Sequence, residues 1–323
     1  KKWEKQTMKI AALGAMALTL AGCATAKSSS SQGNNPGKTI KIGVNMELSG
    51  SAAGYGEQQK QGIQLAVKKI NKSGGIKVGG TKKKIQLVIR DNKTSNTTAA
   101  SVAAQLVNND KVVAVVGPAT TSAGTAAIPN MTKAAVPSVS PSATDPDYTL
   151  QKSGKVQKYI FRACYQNNFQ GATAATFVTK NLKAKRVAIL TDNSSDYGTA
   201  DDKLAQIAGK SNATNVYYTT PFSTKASATN KVASKFMSAY KAKYGSTAPT
   251  FSALAYDSVY MIKAAIEKEG SANSVKIADG LAKLKNFKGV TGTTTIDKQH
   301  NPEKTISIEQ LTNGVVSKVY NVK

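Results

Sequence analysis

One thiol and its neighbours carry the most explicit chemistry in this 323-residue chain. Leu20-Ala21-Gly22-Cys23 sets small residues just before a cysteine, the arrangement a lipoprotein signal peptidase cuts. It follows a lysine-bearing start over residues 1–9 and an apolar run over residues 10–20. That run is about half of the roughly 20 residues needed to span a bilayer, so a signal peptide over 1–22 is expected rather than a membrane helix. Cys23 would be diacylated and become the first residue of an exported chain. Residues 24–38, rich in Ser, Gly and Asn, cannot bury a core and read as a flexible linker.

Little else invites covalent or metal chemistry. Cys164 is the only other cysteine, so no intrachain disulfide is available once Cys23 carries lipid. His300 is the sole histidine and sits in a polar stretch, where it reads as a surface loop residue. A triad or a histidine metal site would rest on it alone, and no G-x-S-x-G elbow is present. The expectation is no catalytic residue, no metal, no cofactor and no enzyme activity.

The formal charge is +26, and removing residues 1–22 takes away four lysines and one glutamate, leaving +23. Only Arg90, Arg162 and Arg186 are arginines, whereas phosphate recognition favours arginine forks. Scattered lysines argue against nucleic acid and suit a solvated surface with loose attraction to an anionic envelope.

Behind these residues lies a regular strand and helix alternation. Ile40, Ile42, Val44, Met46 and Leu48 alternate, and Ile63, Ala66, Val67 and Ile70 then recur at helical spacing. Strands follow at 85–90, 112–116 and 136–140, with helices at 97–108 and 121–133. This spacing predicts βαβ units and an open, mostly parallel α/β sheet. Residues 159–162 lead into a second series: helix 169–182, strands 187–191 and 216–219, helices 228–244, 252–269 and 275–284, then β-rich segments to the end. The glycines at 33 and 37 and those at 54 and 56 fit neither a phosphate loop nor a dinucleotide fingerprint and read as turn and linker residues.

In such a sheet, ligands bind beyond the carboxyl ends of the strands, where helix N-termini offer free amides. Two of the relevant loops, 117–122 and 140–145, are packed with hydroxyls and small residues; the third, 49–57, carries Tyr55. Hydroxyls and amides suit a small carboxylate, and a tyrosine wall suits an apolar side chain. Ser and Thr are equally at home as helix caps.

The segments IKIGVNMELSGSAAGYGEQQKQGIQLAVKKIN, VVAVVGPATTSAGTAAIP, VPSVSPSATDP, FRACYQNNFQGATAATFV and VAILTDNSSDYG resemble the solute-binding proteins of branched-chain amino acid ABC importers, which have the type I periplasmic binding protein fold. The resemblance runs from about Lys38 to the C-terminus. It implies two Rossmann-like lobes that close over Leu, Ile or Val and dock on ABC permease subunits. It further implies that Thr121 and Thr144 hold the ligand's carboxylate and ammonium, that Ala119 and Ser142 add backbone atoms, that Tyr55 and Phe251 line the side-chain pocket, and that Tyr197 reaches across from the second lobe.

The resemblance breaks after Ala200. The family continues there with further strands and helices that supply an aromatic wall and the acid pairing with the ammonium. Here Asp201 and Asp202 open a stretch that resembles a much later point, and at about 30 residues per βαβ unit roughly 60 to 80 residues are absent. Lobe 1 is expected over 39–161 and about 222–310, and a shortened lobe 2 over 162–221 and about 311–323. The implied protein is a monomeric, lipid-anchored importer subunit on the outer face of a bacterial cytoplasmic membrane (extracellular in a Gram-positive cell), with binding impaired by the deletion. The alternative is a ligand-sensing or partner-docking lipoprotein on the same fold, without transport.

Overall fold

Apolar strands alternating with amphipathic helices assemble as their order suggests, into β1 (Ile40–Met46), α1 (Ala53–Lys72), a hairpin of β2 (Ile76–Val78) and β3 (Thr81–Lys83), β4 (Ile85–Asp91), α2 (Asn96–Asn108), β5 (Ala114–Val116), α3 (Thr121–Ala134), β6 (Ser138–Ser140) and β7 (Ile160–Arg162). The computed structural model describes residues 32–189, 209, 211–225 and 230–322. The expected signal peptide, Cys23, Tyr197, Asp201, Asp202 and the junction after Ala200 lie outside them.

The first sheet has the order β4-β1-β5-β6-β7 and is parallel throughout. Residues 159–162, expected to lead into the second series, instead supply its edge strand. Every residue of β5, β6 and β7 is buried, as strands covered on both faces must be. Successive side chains alternate between two cores: Ala114 and Val116 join one cluster with α1, and Val115 joins another with α2 and α3.

The chain then forms α4 (Asn167–Thr176), a π-helical turn (Phe177–Asn181) and β8 (Val216–Thr220), and returns to the first sheet as α5 (Lys231–Tyr244), α6 (Thr250–Glu269) and α7 (Ser274–Ala282). Three short strands, β9 (Phe287–Gly289), β10 (Gly292–Ile296) and β11 (Pro302–Glu303), pair antiparallel. The final hairpin, β12 (Ile306–Thr312) and β13 (Val315–Val322), turns at Asn313-Gly314, both with positive φ, the signature of a tight hairpin turn. With β8 it makes a second, antiparallel sheet ordered β13-β12-β8, over a small core of Tyr165, Phe177, Ile306 and Ile308.

Residues 187–189 of the expected strand 187–191 are not extended into any sheet, and Ile189 is 84% exposed. Its apolar pattern finds no burial among the described residues. Gly54 and Gly56 are not turn glycines but lie inside α1, where a Cβ at Gly56, or at Gly62 further along, would overlap the carbonyl oxygens of Glu47 and Ser252 respectively. Gly56 and Gly62 let α1 close onto the end of β1 and onto α6.

Two polar groups are buried where the described segments cross between the sheets. The Lys304 ammonium donates to the Ala163 carbonyl (3.2 Å) and to the Thr291 hydroxyl (2.6 Å), which itself donates to Asp257 (2.7 Å). Burial pulls the Lys304 pKa down and pushes the Asp257 pKa up, each effect opposed by the charge of the other. His300, expected in a surface loop, is only 7% exposed. Its ring stacks on Phe161 with centroids 4.1 Å apart, and Nδ1 lies 3.0 Å from the Ile160 carbonyl. The turn that places it there is held by Asp297, whose carboxylate accepts from the amides of Gln299 and Asn301 at 2.8 Å.

Burial lowers the His300 pKa, against an opposing pull from the Ile160 and Gln157 carbonyls. The folded state therefore binds the proton less tightly than the unfolded chain. Its contribution is complete above about pH 6.5 and is lost as pH falls through the folded-state value. Denaturant unfolding between about pH 7 and 5 should show stability dropping towards acid. His300→Gln should flatten that profile, and an unchanged slope would assign the effect to another group.

Candidate functional site

The loops after β1, β5 and β6 share one edge of the first sheet, and their positions are set by buried polar atoms. Glu47, immediately after β1, is fully buried, and no ion pair to it occurs among the described residues. Its carboxylate accepts from the Ala119 amide (2.9 Å), the Thr120 amide (3.0 Å) and the Thr120 hydroxyl (2.8 Å). Thr120 is the N-cap of α3, so the charge sits where the helix dipole is positive.

A hydroxyl ladder joins the next two loops. Ser138, Ser140 and Ser142 donate to the carbonyls of Gly117, Pro118 and Ala119 at 2.6, 2.6 and 2.8 Å. Residues two apart on an extended chain share a face, so one side of β6 and its extension reads the backbone of the β5 loop. Ser142 also accepts from Gln59 Nε2 at 2.7 Å, which ties α1 to the ladder. Gln59 Oε1 is buried and has no hydrogen-bond partner among the described residues.

The β6 loop is fastened from below by Arg162, itself fully buried. Its guanidinium donates to the carbonyls of Ala143 (2.9 Å), Asp145 (2.6 Å) and Pro146 (3.3 Å). The Cys164 thiol adds a bond to the Ala143 carbonyl at 3.3 Å, and burial pushes its pKa up to about 11, so it stays a thiol. At the β1 loop, Asp91 accepts from the amides of Leu48, Ser49 and Lys93 and from the Ser49 hydroxyl. Burial would raise its pKa, but these bonds together hold it below the usual value.

The expected site residues fall into two linked groups. Tyr55 and Phe251 meet edge to face, centroids 4.9 Å apart, with Tyr55 49% exposed. Ala119 and Ser142 are bonded to each other, and Thr121 Oγ1 accepts from the Asp145 amide, next to Thr144, at 3.4 Å. Tyr55 and Gln59 lie one turn apart on α1, so one helix face connects the aromatic pair to the ladder. The ladder also narrows the chemistry. The Ser142 hydroxyl is engaged with the scaffold on both sides, by Gln59 and by the Ala119 carbonyl, whereas the two threonines, backbone groups and the aromatic pair are the candidates for recognition. Tyr197 lies outside the described residues. Glu47, Gln59, Arg162 and the serines at 138 and 140 were not singled out as site residues. The period-two serines and an acid ending an apolar strand were the available signals.

Arg162→Met removes three charged-donor bonds from the β6 loop, leaving the Ala143 carbonyl to the Cys164 thiol, the Asp145 carbonyl to the Tyr148 amide and the Pro146 carbonyl without its guanidinium. It should lower unfolding stability by about 2–4 kcal/mol and raise amide exchange over residues 143–148. Undiminished protection there would show that Cys164 and the ladder hold the loop alone.

A family model described as periplasmic binding protein matches residues 39–208 and 196–315. Leu/Ile/Val-binding protein homolog 3 of Brucella melitensis is 35% identical over 180 residues, 55% of this chain and 46% of that protein. The Leu/Ile/Val-binding protein of Escherichia coli K12 is 31% identical over 179 residues, again 55% and 46%. The chain thus spans about half the length of the curated relatives it matches. Among solved structures, the branched-chain amino acid transporter substrate binding protein LivJ of Streptococcus pneumoniae, in complex with isoleucine, is 36% identical with a TM-score of 0.76, covering 88% of this chain and 99% of that one. A leucine binding protein of Thermotoga maritima is 26% identical with a TM-score of 0.73. These relatives are binding proteins, not enzymes. With a parallel sheet whose strand-end loops are fixed by buried polar side chains and a family match along most of its length, the chain belongs to the periplasmic binding protein family.

Proposed function

We propose that this chain is the extracytoplasmic solute-binding component of an ABC importer for branched-chain amino acids. The observation that carries the reading is the pair of groups at the strand ends: Thr121 and Thr144, on loops that Glu47 and the serine ladder fix through the Ala119 and Thr120 backbone, beside the half-exposed Tyr55–Phe251 pair. The first suits a carboxylate and the second an aliphatic side chain. The names of the relatives, Leu/Ile/Val-binding proteins and an isoleucine complex, point the same way. Thr121 and Thr144 hold the ligand's polar end, Ala119 and Ser142 contribute backbone atoms, and Tyr55, Phe251 and Tyr197 enclose its side chain. The described crossings between the sheets are the places for hinge closure before docking on the permease.

Binding is weak in this reading. The family match comes in two pieces that meet over 196–208, around the point where the resemblance breaks, and the curated relatives are about twice as long as the matched region. The acid that pairs with the ligand ammonium falls in the absent stretch. A lost hydrogen bond to a charged group costs about 1.5 to 3 kcal/mol, or roughly ten- to a hundredfold in affinity. Isothermal titration of the chain from Ala24 with leucine, isoleucine and valine should give saturable heat, weaker than a full-length relative by that factor. Thr121→Ala should erase it. No heat with any of the three would favour the sensing or docking lipoprotein instead, and tight binding indifferent to Thr121→Ala would place the site elsewhere.

Anchoring is proposed at Cys23, whose thiol accepts the diacylglycerol. Cys23→Ser should abolish incorporation of radiolabelled fatty acid and leave the precursor uncleaved or the protein released. Label retained on the variant would end this assignment.

A further inference from the structure

Residues 68–84 hold seven lysines and no acid in seventeen positions. They form the end of α1, the turn after it and the β2–β3 hairpin, and six of the seven lysines are exposed. None of the seven makes an ion pair among the described residues. Lys82 and Lys83 donate only to backbone carbonyls, of Ser73 and Gly37. The nearest acid, Glu267, accepts from the Lys77 amide at 3.5 Å, and its charge is engaged by Lys263.

Helix polarity accounts for part of this. Lys69 and Lys72 stand in the last turn of α1, where a cation is favoured. It does not account for the hairpin, where Lys77 and Lys82 face each other directly in the antiparallel register. Like charges in that position oppose pairing, as do Lys68 and Lys72 at four residues' separation on the helix. The fold thus concentrates uncompensated positive charge where two of its own pairings suffer for it.

The place is informative. The twenty residues of α1 carry the chain about 30 Å, from the strand-end loops to the opposite edge of the sheet. The hairpin lies at that far edge, beside the segment entering β1, as the Lys83 bond to Gly37 shows. Cys23 is nine residues before Gln32, at most about 30 Å of extended chain. A lipid there would keep this edge within about 30 Å of the bilayer.

We propose that the lysines of residues 68–84 form a docking surface for anionic phospholipid headgroups. The surface acts by charge and does not need acylation at Cys23. The test therefore uses the unacylated chain from Ala24, co-sedimented with phosphatidylcholine vesicles with and without phosphatidylglycerol. Binding should require phosphatidylglycerol and vanish at about 1 M salt, where screening acts within about 3 Å. At about fivefold per lysine, the combination Lys72→Gln, Lys77→Gln, Lys82→Gln and Lys84→Gln should weaken it about a hundredfold or more. Arginine at the same four positions should retain it. Removing four exposed lysines near the second sheet, Lys180→Gln, Lys183→Gln, Lys185→Gln and Lys318→Gln, should change it less than tenfold. Equal binding to phosphatidylcholine, equal loss in the second-sheet variant, or tighter binding to a soluble polyphosphate than to the vesicles would each overturn the proposal.

Discussion

A buried carboxylate without a cation has to find its compensation in dipoles, and Glu47 finds it at the start of α3. Removing an ionised group from water is expensive unless several hydrogen bonds replace the lost hydration. Two amides and one hydroxyl do so here, and that requirement dictates much of the neighbourhood. The β5 loop must bend so that successive amides converge on one point. Helix α1 must run close over the Glu47 carbonyl, which is why Gly56 has no side chain. The loops after β1 and β5 are thus one unit rather than two neighbours.

The serine ladder extends the unit to the third loop. Hydroxyls that looked like ligand contacts are spent on the backbone of the adjacent loop, with Arg162 and Cys164 gripping the same segment from beneath. The ordering cost of these loops is met during folding, so a ligand meets a surface already arranged. Most polar side chains here act through other residues, and few are left to touch a ligand directly.

Legibility followed burial geometry. The first sheet and its helices were readable because its strands are rich in apolar residues, continuously so in the doubly covered β5, and its helices show one apolar stripe, as in α1, α2 and α3. What escaped depended on partners remote in sequence. His300 looked like a loop residue because its burial is decided by Phe161, and Lys304 looked like one more solvated lysine because Ala163 and Thr291 are what enclose it. Residues 187–189 show the converse, an apolar run that is exposed. In the candidate site, Tyr55, Phe251 and the hydroxyl-rich loops stand out in the sequence as candidates, whereas Glu47 and the ladder, which fix the loops, emerge only from three-dimensional contacts.

The Lys304 ammonium touches two passages of chain at once: its own, on the way into β12, and that of Ala163, on the way out of β7. Two struts pinned at a common point cannot slide past each other without breaking the pin, yet each can still turn about it. In the closure proposed above, this contact opposes shear and permits swinging about a fixed pivot. Because the pin is a charge in a dry setting, anchored through Thr291 to Asp257, it resists being pulled into water at either end of the swing. The axle of this molecule is electrostatic.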